Sequence, residues 1–316
     1  MSLLDRIFAE PELRDTPPVL VDVGAAGGVN RIWHQIARYA TGVGFEPDAR
    51  DSAVLQRAQL AYKRWILCPE LVVPESLPDG KAVLHLTRSP HCSSTLRPDQ
   101  TALREWGFAQ FFEVHETRRL PATTLGAALA ARGLDRVDWL KCDTQGLDLK
   151  LYHSLPISWR EQILAVEFEP GVIDAYQGED KLAAVLTAMA GEPFWLAELQ
   201  IGRTVRLRLD LAARWFGASW ADWVRRLAAG APTWANVRFL RDPAMRPDTL
   251  DRRALLLGWV FATLAQQHGA ALLNATVGGE RYGKPLFEEL ARSSVRRLRL
   301  QMLRGLPAAL WRRLCR

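Results

Sequence analysis

The chain has 316 residues, 48% of them hydrophobic and 24% charged, a composition typical of a globular protein with a sizeable core. The formal net charge is +6, but eight of the 41 Lys and Arg lie in residues 292–316, which contain no acidic residue. The rest of the chain has 33 basic against 35 acidic groups. We therefore expect no nucleic-acid partner, because phosphate binding needs a surface of clustered Lys and Arg.

The ends of the chain and the cysteines indicate the compartment. Residues 1–15 contain acidic side chains and lack an apolar core, so we expect no signal peptide. The longest apolar run, 254–265, is too short to cross a bilayer, which requires about 20 residues. None of the four cysteines stands at metal-ligand spacing, which favours free thiols in a reducing compartment. We therefore predict a cytoplasmic protein.

Short apolar runs alternate with helical patterns along the chain, which is typical of an α/β sheet with crossover helices. In chain order, we predict strands at 18–24, 41–47, 65–75, 81–89, 111–120, 136–143, 162–169, 193–201 and 234–242, and helices at 30–40, 48–64, 123–134, 147–155, 180–190 and 250–269. Pro69 interrupts the third strand, and Thr123 or Thr124 caps the third helix.

The sequence contains no internal repeat and no low-complexity linker. We predict one doubly wound domain over 1–290, with a helical insertion at about 205–232, and a basic amphipathic tail over 291–316 that is broken at Gly305 and Pro307. One hypothesis for such a tail is peripheral contact with anionic lipid at the inner face of the membrane. A solubilising helix packed on the domain is the alternative.

A glycine-rich turn follows the first strand in "VLVDVGAAGG", residues 19–28. In open α/β sheets, ligands bind at the carboxyl ends of the strands, and glycines let a ligand approach the backbone closely. The dinucleotide pattern G-x-G-x-x-G fails here, because Ala26 and Val29 stand where the second and third glycines are required. A ligand with a pyrophosphate is therefore disfavoured.

Glu46 ends the second strand, 22 residues after Gly24. A carboxylate at this place can accept both hydroxyl protons of a ribose. A ribose without a pyrophosphate indicates an adenosine on a short group, and S-adenosylmethionine fits, with Asp22 facing its amine. An NAD-dependent dehydrogenase on a similar sheet is the alternative, which the failed glycine pattern disfavours.

Several motifs in order are similar to those of the FkbM-type S-adenosylmethionine-dependent methyltransferases. They are "VLVDVGAAGG", "GFEPDARD", "CSSTL", "RLPATTL", "VDWLKCDTQGLDLKLYHSL" and "VEFEP". The similarity covers roughly residues 17–200, and its most specific block is "LKCDTQGLDL", which resembles the family's Lys-x-Asp-x-Glu/Gln-Gly signature.

This resemblance implies a class I methyltransferase fold: a Rossmann-like, seven-stranded, mostly parallel sheet with helices on both faces and an antiparallel last strand. It implies S-adenosylmethionine as the methyl donor and a hydroxyl of a sugar, glycan or secondary metabolite as the acceptor. The predicted cofactor contacts are Asp22, Gly24, Ala25, Gly27, Glu46, Pro47 and Asp143. Many members have Glu where Gln145 stands, so a non-catalytic scaffold subunit of a glycan-assembly system is a second alternative.

Methylation of a hydroxyl needs a base at the cofactor side of the sheet. Asp143 closes the strand 136–143 and is the first candidate, with capping of the next helix as its alternative role. Alternation puts Glu167 and Glu169 on the same side of their strand, where one of them can line the acceptor pocket. His91 lies in a turn that can close over substrate. The predicted catalytic set is Asp143, Glu167 and His91.

Two further kinds of side chain could act on the acceptor: metal ligands and aromatic rings. Asp143 with Glu167 or Glu169 offers oxygen ligands for Mg²⁺, but the spacing predicts no metal site. Among the twelve tryptophans, four are candidates for stacking on an acceptor, and three of these lie in the insertion, which would then act as a lid. The four are Trp195, Trp215, Trp220 and Trp223.

Overall fold

The computed structural model describes residues 2–25, 28–47, 61–283 and 285–314. The strands of this part are β1 (Val19–Val23), β2 (Thr41–Phe45), β3 (Arg64–Cys68), β4 (Leu71–Val73), β5 (Lys81–Thr87), β6 (Val114–Thr124), β7 (Trp139–Cys142), β8 (Ala165–Phe168), β9 (Phe194–Thr204) and β10 (Ala231–Arg241). The helices are α1 (Leu3–Ala9), α2 (Pro11–Asp15), α3 (Gln100–Leu103), α4 (Leu125–Ala130), α5 (Asp148–Ser154), α6 (Ile157–Arg160), α7 (Leu182–Met189), α8 (Leu209–Phe216), α9 (Ala218–Leu227), α10 (Arg252–Leu264), α11 (His268–Tyr282) and α12 (Pro285–Leu314).

Seven strands form the central sheet, in the order β3-β2-β1-β7-β8-β10-β9. The first five pair in parallel, whereas β10 runs antiparallel to both β8 and β9. Every residue of β1 and β2 is buried, as expected for parallel strands that are covered on both faces. The predicted α/β fold, with a mostly parallel seven-stranded sheet and an antiparallel last strand, is confirmed.

Helices cover both faces of this sheet. On one face, α4, α5 and α7 pack on the odd-numbered valines of β1 and on Leu140 of β7. On the other face, α1, α10, α11 and the start of α12 pack around Leu20 and Trp139. Trp139 lies between Trp33 and Phe261, with ring centroids 5.9 Å and 4.8 Å away. The alternation along each strand therefore assigns neighbouring residues to opposite cores.

A second, three-stranded sheet has the order β4-β6-β5. The strand predicted at 65–75 was wrong as one element, because β3 pairs with β2 in the central sheet and β4 pairs with β6 in the small one. Pro69 lies between them and has no N–H to donate, so a ladder cannot run through it. The small sheet lies beside the carboxyl end of the central sheet, where it helps to form the site.

The connection from β1 to β2 also differs from its prediction. The α-helix expected at 30–40 is two 3-10 turns, Arg31–Gln35 and Ala37–Tyr39. Bonds of the i→i+3 type form them, such as Trp33 N–H to the Asn30 carbonyl at 3.1 Å. This tighter path buries Trp33 and Ile36 in the core. The helix predicted at 48–64 lies mostly outside the described residues.

The insertion and the tail are both helical. Helices α8 and α9 form the insertion predicted at 205–232, between β9 and β10. Helix α12 starts before the predicted boundary at 290/291, with Phe287 and Leu290 buried in the core. Its backbone also stays helical through Gly305 and Pro307, so the predicted break there was wrong; the flanking Leu, Ala and Arg are strong helix formers. Within the described ranges, no helix combines the length and apolar character that crossing a membrane requires.

Candidate functional site

A cavity of 260 Å³, the first cavity, lies at the carboxyl ends of β1, β2 and β7. Parallel strands end at one edge of the sheet, so the residues that follow them meet there. Gly24, Glu46, Pro47 and Asp143 line this cavity. Four of the seven predicted cofactor contacts are therefore brought together.

Gly24 is the tightest point of this edge. Its φ is +83°, and a Cβ atom there would lie 2.0 Å from the carbonyl oxygen of Asp143. Only glycine fits this place, because a side chain would force the end of β1 away from the end of β7. The N–H groups of Gly24 and Ala25 both donate to the Phe45 carbonyl, at 3.0 Å and 3.1 Å. Their hydrogen bonds thus fasten the turn to β2.

Of the other three predicted cofactor contacts, Ala25 and Asp22 are not among the described residues of the cavity lining. Ala25 is fully buried and packs in the core, so the prediction of a ligand contact there is not supported. Gly27 lies outside the described residues. Asp22 is fully buried, because it lies within β1 and faces the core that contains Trp139 rather than the edge of the sheet. The side chain of Asp22 instead belongs to a row of charges.

This charged row crosses five neighbouring strands. The register of the sheet places Asp22, Lys141, Glu167, Arg238 and Glu198 side by side, so the sign of the charge alternates along the row. Lys141 Nζ lies 2.8 Å from Asp22, and Arg238 lies 3.2 Å from Glu167 and also pairs with Glu198. Each charge is compensated by a neighbour of opposite sign, as burial requires.

The ionisation of the row follows from these contacts. Burial disfavours a charged amine, yet the carboxylates of Asp22 and Asp143 raise the pKa of Lys141 above its usual value. Asn30 ties the row together, because its backbone N–H donates to Asp22 at 3.1 Å and its side-chain amide donates to Glu167 at 2.9 Å. The carboxylates beside Lys141 thus favour the charged form of its amine.

Glu167, one of the three predicted catalytic residues, is a member of this row and lines a separate cavity with Asp143 and Glu169. It accepts hydrogen bonds from Trp139 Nε1 at 2.8 Å, from Asn30 and from Arg238, and it does not line the first cavity. Of the two glutamates predicted on this strand, Glu169 is the one that lines the first cavity. Strand β8 ends at Phe168, and beyond the strand end alternation no longer determines where a side chain points.

A second cavity, of 340 Å³, adjoins the first and shares His91, Gln145 and Glu169 with it. Its other walls are aromatic side chains and a group of arginines. The aromatic residues are Phe108, Phe111, Phe112, Tyr176 and Trp234, and the arginines are Arg203, Arg225 and Arg226. The shared residues lie between a cavity at the strand ends and a cavity under the insertion.

Asp143 and Glu169 form a carboxyl pair where the cavities meet. Gln145 Nε2 donates to Asp143 at 2.7 Å. Burial, and next the neighbouring Asp143 carboxylate with which Glu169 is hydrogen-bonded, raise the pKa of Glu169 to about 9. Glu169 is therefore protonated at neutral pH and can donate a hydrogen bond to Asp143.

Asp148 connects the two chain segments that carry this carboxyl pair. It is buried and accepts hydrogen bonds from the Thr144 N–H at 2.9 Å, the Thr144 hydroxyl at 2.7 Å and the Glu169 N–H at 2.8 Å. Burial and the charge of Asp143 raise the pKa of Asp148 to about 7. Asp148 thereby joins the loop after β7 to the end of β8. The expected capping of α5 by Asp143 does not occur.

Gln145 orients the Asp143 carboxylate. It has a φ of +57°, which is unusual for a residue with a side chain, and its backbone carbonyl accepts from the Ser94 hydroxyl at 2.9 Å. Its side-chain oxygen lies 3.1 Å from the Tyr176 hydroxyl, whose single hydrogen it shares with the Cys92 carbonyl at 2.8 Å. Burial raises the pKa of Tyr176 well above its usual value, so this phenol stays a donor. The amide group of Gln145 is therefore turned so that its NH₂ faces Asp143.

The remaining acceptor-side candidates differ in whether they line a cavity. His91, on a 3-10 turn, is exposed and lines both cavities, which agrees with its predicted place near substrate. Trp215, Trp220 and Trp223 are 73%, 65% and 58% exposed and line neither cavity; the insertion contributes arginines instead. Trp195 packs against the core.

Sequence reasoning missed Asp148, Tyr176, Trp234 and the arginines of the second cavity. Of these residues, only Asp148 could have been predicted from the sequence, since it lies inside the block "LKCDTQGLDL". For metal binding, no group of three or more His, Cys, Asp and Glu side chains in the described part of the chain could hold an ion.

Comparisons with protein-family models, curated proteins and solved structures find no match to this chain. The resemblance to the FkbM-type family therefore stays a prediction from the motifs. The geometry of the strand ends and of the two cavities is what indicates a function.

Proposed function

We propose that this protein is an S-adenosylmethionine-dependent methyltransferase that transfers a methyl group to a hydroxyl oxygen of a small acceptor, such as a sugar, a glycan or a secondary metabolite. The observation that carries the proposal is the meeting of Gly24, Glu46 and Asp143 in the first cavity. Strand β1 has β2 on one side and β7 on the other, so this cavity lies at the switch point where such sheets bind nucleosides. The antiparallel β10 is a further feature expected of a class I methyltransferase.

The residues of the first cavity fit this cofactor. Glu46 would bind the ribose hydroxyls, and Gly24 would let the nucleoside approach the backbone. Leu71, Val72 and Leu84 provide an apolar wall that suits an adenine ring. When bound, S-adenosylmethionine supplies an electrophilic methyl group on a positively charged sulfur.

The charges of the same lining separate this proposal from a dehydrogenase. The described lining residues include the carboxyl groups of Glu46 and Asp143, and no Lys or Arg is among them. Two further carboxyl groups add little negative charge, because Glu70 is paired with Arg132 and Glu169 is protonated at neutral pH. Two phosphates of NAD would be repelled by such a lining, whereas a sulfonium and an amine would be attracted. The electrostatics thus favour a cationic ligand.

The carboxyl pair of Asp143 and Glu169 would remove the proton of the acceptor hydroxyl. Asp143 would accept the hydroxyl proton as the acceptor oxygen bonds to the methyl carbon. Gln145 holds the carboxylate in one orientation, and protonated Glu169 stabilises its charge until the proton arrives. His91, at the boundary of the cavities, would contact the acceptor.

Calorimetry with S-adenosylhomocysteine, and with NAD in a parallel titration, tests the cofactor. We expect saturable binding of S-adenosylhomocysteine, and Glu46→Ala should weaken it by about 1–3 kcal/mol, the scale of a lost charged hydrogen bond. Glu75→Ala, an exposed position outside the cavity lining, is the matched control. Tighter binding of NAD, or equal effects of the two substitutions, would contradict the proposal.

A turnover assay on a panel of hydroxylated acceptors, with S-adenosylhomocysteine release as the readout, tests the reaction. Product on at least one acceptor is expected. Cofactor binding without product on any acceptor would favour the alternative of a non-catalytic scaffold subunit in glycan assembly. The proposed place of action is the cytoplasm, where cell fractionation should find the protein.

A further inference from the structure

The second cavity has two chemically different ends. One end holds Glu169 and His91, next to Asp143. The other end holds Arg203 from β9 and Arg225 and Arg226 from α9. A molecule that fills this cavity would therefore contact the reacting groups at one end and guanidinium groups at the other.

The arginines have fewer anionic partners than charges. Arg225 and Arg226 share one carboxylate, that of Asp222, at 2.6 Å and 3.1 Å. Arg203 donates to the Gly230 carbonyl at 3.0 Å, which compensates no charge. The Arg225 side chain is only 17% exposed and lies over the ring of Phe111. The described contacts thus leave positive charge at the wall of the cavity.

The acids at the other end do not neutralise this charge. Glu179 is turned into its own loop, where it accepts from the N–H groups of Ala175 and Tyr176 at 2.6 Å and 3.1 Å, and it pairs with Lys181. Glu169 is protonated at neutral pH and therefore carries no charge. An anionic ligand would therefore be attracted to the arginine end.

Flat aromatic rings form a further part of the wall of this cavity. The ring of Phe108 stacks on that of Trp234 with centroids 6.3 Å apart, and it meets Phe112 edge to face at 5.1 Å. Such a wall favours a flat partner, either an aromatic ring or the apolar face of a sugar ring. The cavity of 340 Å³ is in the size range of small-molecule sites.

We propose that the methyl acceptor is an anion: a flat ring with a hydroxyl at the Asp143–Glu169 end and a carboxylate, sulfate or phosphate held by Arg225, Arg226 and Arg203. Planar guanidinium groups bind all three anions with paired hydrogen bonds. This inference rests on the proposed function, because it assigns the second cavity to the acceptor.

A pair of fluorescent probes tests the anion site directly. 8-Anilinonaphthalene-1-sulfonate has fused aromatic rings and a sulfonate, and N-phenyl-1-naphthylamine has the same rings without the charge. We expect the sulfonate to bind at one site and more tightly than the neutral probe. The double variant Arg225→Gln/Arg226→Gln should weaken it roughly 10-fold or more and leave the neutral probe nearly unchanged.

Matched controls keep the test sharp. Arg206→Gln/Arg214→Gln removes the same charge from the same segment, at exposed arginines that do not line the cavity. Arg226→Gln alone, at a side chain that is 67% exposed, gives a variant that should fold and still lose part of the affinity. The proposal is overturned if the sulfonate does not bind, if the neutral probe binds as tightly, or if both double variants weaken binding equally.

Competition identifies the anion. 4-Hydroxyphenylacetate, 4-hydroxybenzenesulfonate and phenyl phosphate are each tested for displacement of the sulfonate probe, with phenol as the neutral comparison. Displacement by an anion shows which chemistry is preferred, and equal displacement by phenol counts against the proposal. Binding of S-adenosylhomocysteine is measured on the same variants and should not change. If that cofactor fails to bind while the arginine-dependent probe site persists, the proposed function falls and the anion site stands.

Discussion

The charged row and the carboxyl cluster, which consists of Asp143, Asp148 and Glu169, both contain buried acidic side chains. They differ in the charges that lie next to those side chains. In the row, Asp22 and Glu167 each contact a cation, Lys141 or Arg238. In the cluster, Asp143, Asp148 and Glu169 lie beyond the strand ends of β7 and β8, and burial together with mutual repulsion raises the pKa values of Asp148 and Glu169. A buried carboxylate in direct contact with a cation stabilises the sheet, whereas buried carboxyl groups that repel one another bind protons more tightly and can exchange them near neutral pH.

Removing a cation from the row should have the largest effect. Lys141→Met leaves the fully buried Asp22 without its partner, so we expect a loss of about 3–5 kcal/mol in the free energy of unfolding. Urea denaturation measures it. Lys150→Met, which removes a more exposed lysine from its pair with Asp180, should cost much less. Equal losses would show that the row is not a stabilising unit.

The cluster should respond in activity rather than in stability. Asp143→Asn should leave binding of S-adenosylhomocysteine nearly intact and lower turnover by about 10²-fold or more, because the base is lost. Glu167→Gln, in the row, is the comparison: its turnover per folded molecule should stay close to that of the wild type. Normal turnover in Asp143→Asn would remove its assignment as the base.

The carboxyl cluster should also make the stability of the fold depend on pH. The pKa values of Asp148 and Glu169 are raised to about 7 and about 9, so the folded chain binds their protons more tightly than the unfolded chain does. Their contribution to stability is complete below the unfolded pKa values and is lost as the pH rises through about 7 and about 9. Thermal unfolding from pH 6 to 10 should show falling stability. Glu169→Gln should flatten the alkaline part of this fall, and an unchanged slope would contradict the raised pKa of Glu169.

The smallest effect concerns the predicted membrane contact of the tail. Ser294 is buried and accepts a hydrogen bond from Trp259 Nε1 at 2.9 Å, so a chain shortened after Arg297 keeps the packed start of α12. If the tail binds anionic lipid, this chain should co-sediment less with vesicles that contain phosphatidylglycerol, and neither chain should bind phosphatidylcholine. Equal sedimentation of both chains with anionic vesicles would leave the tail as a helix that packs on the domain.

Local sequence patterns predicted those features of the site that depend on where a strand ends. The alternation of apolar runs and helical patterns predicted the sheet, and the position of Gly24, Glu46 and Asp143 after their strands brought them to one edge. Pro69 showed the limit of this reasoning. It marked an interruption, but a single sequence does not say that the chain changes from one sheet to another there.

The sequence by itself therefore determined the sheet, its carboxyl edge and four of the predicted cofactor contacts in the first cavity, since the period of a strand and the place where it stops are local properties. Only the tertiary structure decided that Glu167 belongs to the charged row and Glu169 to the cavity, and that Asp22 pairs with Lys141. It also decided that Arg225 and Arg226, far along the chain, face the same cavity as Gln145. The physical reason is that register across strands and the path of the chain beyond a strand end depend on contacts between distant segments, which no pattern along one segment contains.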